Sequence, residues 1–127
     1  MTEKTDIKNQ SDIKILVDSF YEKVRADQLI GPIFNEEAQV NWDEHLPKLY
    51  AFWSDLLFGT TAYNGRPFPP HIRFNLELLH FERWLQLFIM TVDEHFSGNK
   101  AEEAKQRALR IAQNFLQNIR FVGKTEA

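Results

Sequence analysis

The chain has 127 residues, a formal net charge of -3, 43% hydrophobic and 13% aromatic residues, and no cysteine. That length suits one domain with a real core. The mixed charges exclude the clustered basic face of a nucleic-acid binder, and the missing thiols exclude disulfides, thiolate metal sites and iron–sulfur clusters, so any metal must use His, carboxylate or Tyr. No apolar run approaches a membrane-spanning length. The polar, charged start carries no apolar signal region, so a cytoplasmic location is the default expectation.

Residues 1–10 read as an N-terminal extension, a frayed or short helical start, ahead of a single domain over residues 11–127. The first clear helix runs from about Asp12 to Asp27 with Ser11 as its cap. Ile13, Leu16, Val17, Phe20, Tyr21 and Val24 recur at helical spacing and form one apolar stripe. Tyr21 sits at the edge of that stripe; its hydroxyl needs a partner if buried and otherwise reaches solvent. Gly31-Pro32 breaks this helix, and Leu29 to Phe34 forms a compact apolar segment with a single 3₁₀-like turn.

The second helix opens at Asn41, where Asn with Glu44 three residues on makes a capping box, and it stops at Gly59. Trp42, His45, Leu49, Phe52, Trp53 and Leu56 share a broad face, so His45 points with the aromatics. Pro47 lies inside the early turns, where it removes a backbone bond and crowds the carbonyl of Asp43. A bend there would re-aim His45.

Between the second and third helices lies Tyr63 to Phe74, with three of the chain's five prolines. Asn64-Gly65 is a turn signal, and no long helix crosses Pro67 to Pro70. His71 stands at the end of this stiff segment beside Phe68, Ile72 and Phe74. On the residues alone it is either a metal ligand or an ordinary loop histidine. The third helix spans about Leu76 to Phe96, capped by Asn75 and stopped by Gly98, with Phe81, Trp84, Leu85, Phe88, Val92 and Phe96 inward. His80 and His95 have no partners at ligand spacing and read as surface or rim residues. The fourth helix starts at Asn99, with Glu102 completing a second capping box, and ends at Gly123. Its inward residues are Ala104, Ala108, Ile111, Ala112, Phe115 and Ile119.

None of the short catalytic or nucleotide-binding motifs occurs. What remains is Tyr21, His45, His71 and Trp84, each on or at the edge of an apolar stripe. One fixed imidazole, apolar walls and a few opposing donors are what a five-coordinate haem requires. The pattern is compatible with haem, and Trp84 is equally readable as a core residue.

The chain resembles the truncated globins, most closely their third group. The resemblance rests on Phe20-Tyr21-Glu22-Lys23-Val24, Gly31-Pro32-Ile33-Phe34, His45 with Phe52-Trp53 beyond it, Tyr63-Asn64-Gly65-Arg66-Pro67, His71, and Phe81-Glu82-Arg83-Trp84-Leu85, in that order from about Ile13 to Phe121. It implies an all-α fold, a two-over-two helical sandwich around haem b. It implies His71 as the proximal iron ligand, Tyr21, His45 and Trp84 as distal residues, and Phe34 and Leu49 as residues packed on the haem. Pro47 departs from the family pattern, and leaves His45 either a swinging gate or a contact to a haem propionate. The implied function is reversible binding of dioxygen, carbon monoxide or nitric oxide. The alternatives are a haem enzyme that removes nitric oxide or peroxide with an external reductase, and a haem-free helical interaction domain.

Overall fold

The computed structural model describes residues 4–33, 41–59 and 78–126, with side chains up to Gln117 apart from Phe115. Four long helices make up most of the described chain: α1 Gln10–Ala26, α2 Trp42–Phe58, α3 Leu78–His95 and α4 Asn99–Glu126. α1 packs on α2 and α3, and α4 packs on α3 and α2. The described residues contain no strand, only an isolated parallel bridge between Thr5 and Phe96.

The stripe expected on α1 is buried in full, from Ile13 to Val24. The cap lies two residues earlier than expected: Asn9, not Ser11, accepts the Asp12 N–H at 3.0 Å. Asp27 ends α1, ahead of Gly31-Pro32. Its backbone turns extended, and its carboxylate accepts the N–H groups of Leu29 and Ile30, both at 3.0 Å. Gly31 then packs so tightly on the end of α1 that a Cβ there would lie 2.9 Å from the Arg25 carbonyl oxygen. The bond from Ile33 N–H to the Ile30 carbonyl is the expected tight turn; Phe34 lies outside the described residues.

α2 is one continuous helix through Pro47, and Gly59 stops it in the left-handed conformation at φ 66°. Asn41 stands at the cap position, but its side chain makes no capping bond, so the expected capping box is not formed. The start of α3 expected at Asn75 and Leu76, and the irregular Tyr63–Phe74 segment with His71, lie outside the described residues.

The N-terminal segment is extended, not helical, and it is part of the core. Ile7 is 2% exposed, the Ser97 N–H donates to the Thr5 carbonyl at 3.0 Å, and Asp6 reaches the start of α4. The Asp6 carboxylate accepts the N–H groups of Lys100 at 2.9 Å and Ala101 at 2.8 Å. These are donors that a helix leaves open at its N-terminus. Asp6 therefore takes the capping role assigned to Asn99, which lies inside the helix. Gly98 is required by this contact: its φ is 141°, and a Cβ would fall 2.6 Å from Asp6 Cγ. α4 also runs past Gly123 to Glu126 instead of ending there.

The centre of the core is aromatic. Trp53 stacks on Phe88 with centroids 4.7 Å apart, and Phe20 meets Phe88 edge-on at 5.1 Å. Ala101, Ala104, Ala108 and Ala112 line the buried face of α4; with side chains this small, α4 can approach its neighbours closely. Leu57, Leu87 and Thr91 are buried as well, beyond the residues assigned inward from sequence. Thr91 tolerates burial because its hydroxyl donates to the Leu87 carbonyl at 2.7 Å.

Candidate functional site

Four aromatic residues from three helices meet beside this core. Tyr21 lies late in α1, Trp42 and His45 in the first turns of α2, and Trp84 in the first half of α3. The Tyr21 ring lies 5.4 Å from Trp42 and 6.5 Å from His45, and Trp42 is 5.8 Å from His45. Phe20 fixes the other side, 4.6 Å from Tyr21 and 5.5 Å from Trp84, both edge-to-face. Tyr21, His45 and Trp84 are thus brought together as their sequence positions imply. Trp42 is a fourth wall residue, which its place on the face of His45 signalled. The Arg25 guanidinium lies over its ring at 5.1 Å.

The donors have a direction. Tyr21 is 6% exposed. Burial pushes its phenol well above the ordinary value, and the hydrogen bond from Trp84 offsets only part of this. Tyr21 is therefore a neutral phenol at any physiological pH. An indole nitrogen can only donate, so Trp84 N–H donates a hydrogen bond to the Tyr21 oxygen. A donor that itself accepts a hydrogen bond is polarised and strengthened.

His45 is half-buried, and Leu49, Phe52 and Leu56 follow it at helical spacing as half-buried apolar residues packed against the core. Leu85 of α3 is similarly half-buried. Neutral donors flanked by an apolar, partly covered wall suit a flat apolar group that presents one polarised ligand. His80 is half-buried and His95 exposed. No cluster of three metal-ligating side chains occurs among the described residues. His71, the expected iron ligand, and Phe34 lie outside them.

The chain matches the bacterial-like globin family over residues 6–118. It belongs to that family. It is 38% identical over 113 residues to the group 3 truncated hemoglobin ctb of Campylobacter jejuni, spanning 84% of this chain and 87% of that relative. It superposes on the crystal structure of the group III truncated hemoglobin from Campylobacter jejuni with a TM-score of 0.83 and 35% identity, covering 92% of this chain and 95% of that one. The four helices are accordingly those of the truncated-globin fold, the two-over-two sandwich, and the chain is a haem-binding globin most similar to the third group. The donor set fits haem: the neutral Tyr21–Trp84 pair and His45 meet beside half-buried apolar residues, and the one charged group against the cluster among the described residues is the Arg25 guanidinium over Trp42. No described helix of this globin is long and apolar enough to cross a membrane.

Proposed function

We propose that this globin reversibly binds dioxygen and other diatomic gases, carbon monoxide and nitric oxide among them, at a five-coordinate haem b in the cytoplasm. When bound, haem supplies an iron with one open position for a gas molecule. His71 would hold the iron, on the strength of its place in the family pattern. Phe34 and Leu49 would pack on the macrocycle and keep water out. Tyr21 donates its hydroxyl proton in a hydrogen bond to the gas, while Trp84 N–H holds the Tyr21 oxygen in place. His45 stands at the edge, next to Trp42, where it governs passage.

The observation that carries this reading is the buried, neutral Tyr21 phenol, 6% exposed, hydrogen-bonded by Trp84 and 6.5 Å from the His45 ring. Dioxygen in such a site carries partial negative charge and carbon monoxide much less, so a donor discriminates between them. A hydrogen bond to a charged group is worth ~1.5–3 kcal/mol, which is roughly ten- to a hundredfold in an equilibrium constant. Tyr21→Phe is expected to speed dioxygen release by about that factor and carbon monoxide release far less, measured by stopped-flow dissociation of both gases. Equal changes for the two gases would assign Tyr21 a steric role and refute the reading.

A further inference from the structure

The end of α1 is tied to α3 by a part-buried ionic contact. Arg83 Nε donates to Asp27 Oδ1 at 2.7 Å, and the Asp27 side chain is only 6% exposed. The second Asp27 oxygen accepts the Leu29 and Ile30 N–H groups, and Arg83 Nη1 donates to Gln86 Oε1 at 2.8 Å. Burial opposes ionisation of Asp27, yet hydrogen bonds from Ile30, Arg83 and Leu29 together outweigh it and hold its carboxyl below the ordinary value. The contact is therefore an ion pair at neutral pH, and its carboxylate is satisfied on both oxygens.

Its place matters more than its strength. Arg83 adjoins Trp84 in sequence, and Asp27 lies less than two helical turns beyond Tyr21, or ~9 Å along the axis. The pair thus joins the same two helices as the Trp84–Tyr21 hydrogen bond, one register further on. A hydrogen bond fails when its atoms part by about half an ångström or its angle turns by a few tens of degrees. Phe20 against Trp84 and Phe88 fixes the spacing between α1 and α3, but apolar contacts permit sliding along the axis. A part-buried, geometrically directed carboxylate–guanidinium contact resists it.

We infer that Asp27 and Arg83 are positioning residues: their clamp sets the axial register of α1 against α3 that lets Trp84 N–H donate to the Tyr21 oxygen. The ligand-release arm of this inference rests on the function proposed above; the structural arm does not.

The test uses the haem-loaded protein in its ferrous carbon monoxide form, with Asp27→Asn and Arg83→Lys as conservative variants and Arg83→Met as the severe one. The Trp84 indole N–H resonance reports the Trp84–Tyr21 bond directly and is assigned by its shift in Tyr21→Phe. In all three clamp variants it should move toward its position in Tyr21→Phe. Dioxygen release should rise severalfold, no further than in Tyr21→Phe, and Tyr21→Phe combined with Asp27→Asn should release dioxygen no faster than Tyr21→Phe alone. An unmoved indole resonance in folded Asp27→Asn and Arg83→Lys would overturn the inference, as would release rates that multiply in the double variant. Failure of the ligand reading would look different: Tyr21→Phe would itself leave dioxygen release unchanged.

Discussion

Asp6→Ala tests the least local feature of the fold. The change deletes a carboxylate that accepts two helix N-terminal N–H groups, those of Lys100 and Ala101, and one from Ile7 at 2.9 Å. Losing a capping side chain costs ~0.5–2 kcal/mol. The upper end applies here, because both oxygens are used and the negative charge sits at the positive end of the α4 dipole. Asp6 also anchors the segment that buries Ile7, whose burial is worth a further ~2 kcal/mol if the segment detaches. The expected loss is ~2 kcal/mol with the segment still docked and ~4 kcal/mol with it released. In a domain this size the smaller figure lowers the melting temperature by roughly 6–10 °C. The assay is thermal and urea unfolding of Asp6→Ala, Ile7→Ala and the double variant by circular dichroism. The two changes act through one segment, so the double variant should lose less than the sum. The pH dependence gives a second check. Burial opposes ionisation of Asp6, but hydrogen bonds from Lys100, Ala101 and Ile7, with the Lys100 ammonium, outweigh it and depress the carboxyl below its ordinary 3.8. A depressed folded value means the stabilisation is complete above about pH 4 and disappears as pH falls through the lower folded value. The gap between wild type and Asp6→Ala should therefore be constant from pH 5 to 8 (roughly) and close below pH ~4. A gap under ~1 kcal/mol at pH 7, or one that persists unchanged into acid, would refute the capping role.

Other expectations concern the haem side and the helix packing. His71→Ala should lose stable haem, read as the ratio of Soret to protein absorbance, since Met1 and Met90 are the only methionines and no cysteine can substitute; normal haem content would remove His71 as the ligand. His45→Leu should change gas association, followed by flash photolysis, more than dioxygen release, because Pro47 leaves the first turns of α2 short of one backbone bond; a change confined to release would make His45 a fixed donor. Tyr50 donates its hydroxyl to Asp18, and burial together with that carboxylate pushes the phenol up to about 12. Its folded value is raised, so the stabilisation is complete below the ordinary phenol value and is lost as pH rises through about 12. Tyr50→Phe should lower the urea midpoint at pH 7 and delete one late tyrosinate step from an alkaline absorbance titration.

The helices were legible in the sequence because apolar spacing is a local property. The stripe from Ile13 to Val24 reports one face of one helix, whatever packs against it, and all six of its residues are buried. Gly59 likewise announces its left-handed stop without reference to any partner. The order of short family-like segments pointed to the globin family, which the match over residues 6–118 bears out. The roles expected of His71 as iron ligand and Phe34 as haem wall rest on that resemblance, and both residues lie outside the described ones.

Local rules misplaced the caps for a physical reason. A helix N-terminus needs an acceptor, and the nearest Asn or Ser in sequence satisfies the rule on paper. The α4 donors instead found Asp6, some ninety residues away in the chain, because the parallel bridge of Thr5 with Phe96 delivers it there. The direction of the Trp84–Tyr21 hydrogen bond has the same origin. Two donors on separate helices look independent in sequence; once α1 and α3 are packed around Phe20, one must accept from the other, and only the phenol can. Spacing along one chain segment thus decided which faces turn inward. Which polar atoms meet across those faces was decided by how the helices pack, because hydrogen bonds depend on distances of a few tenths of an ångström that no single helix contains.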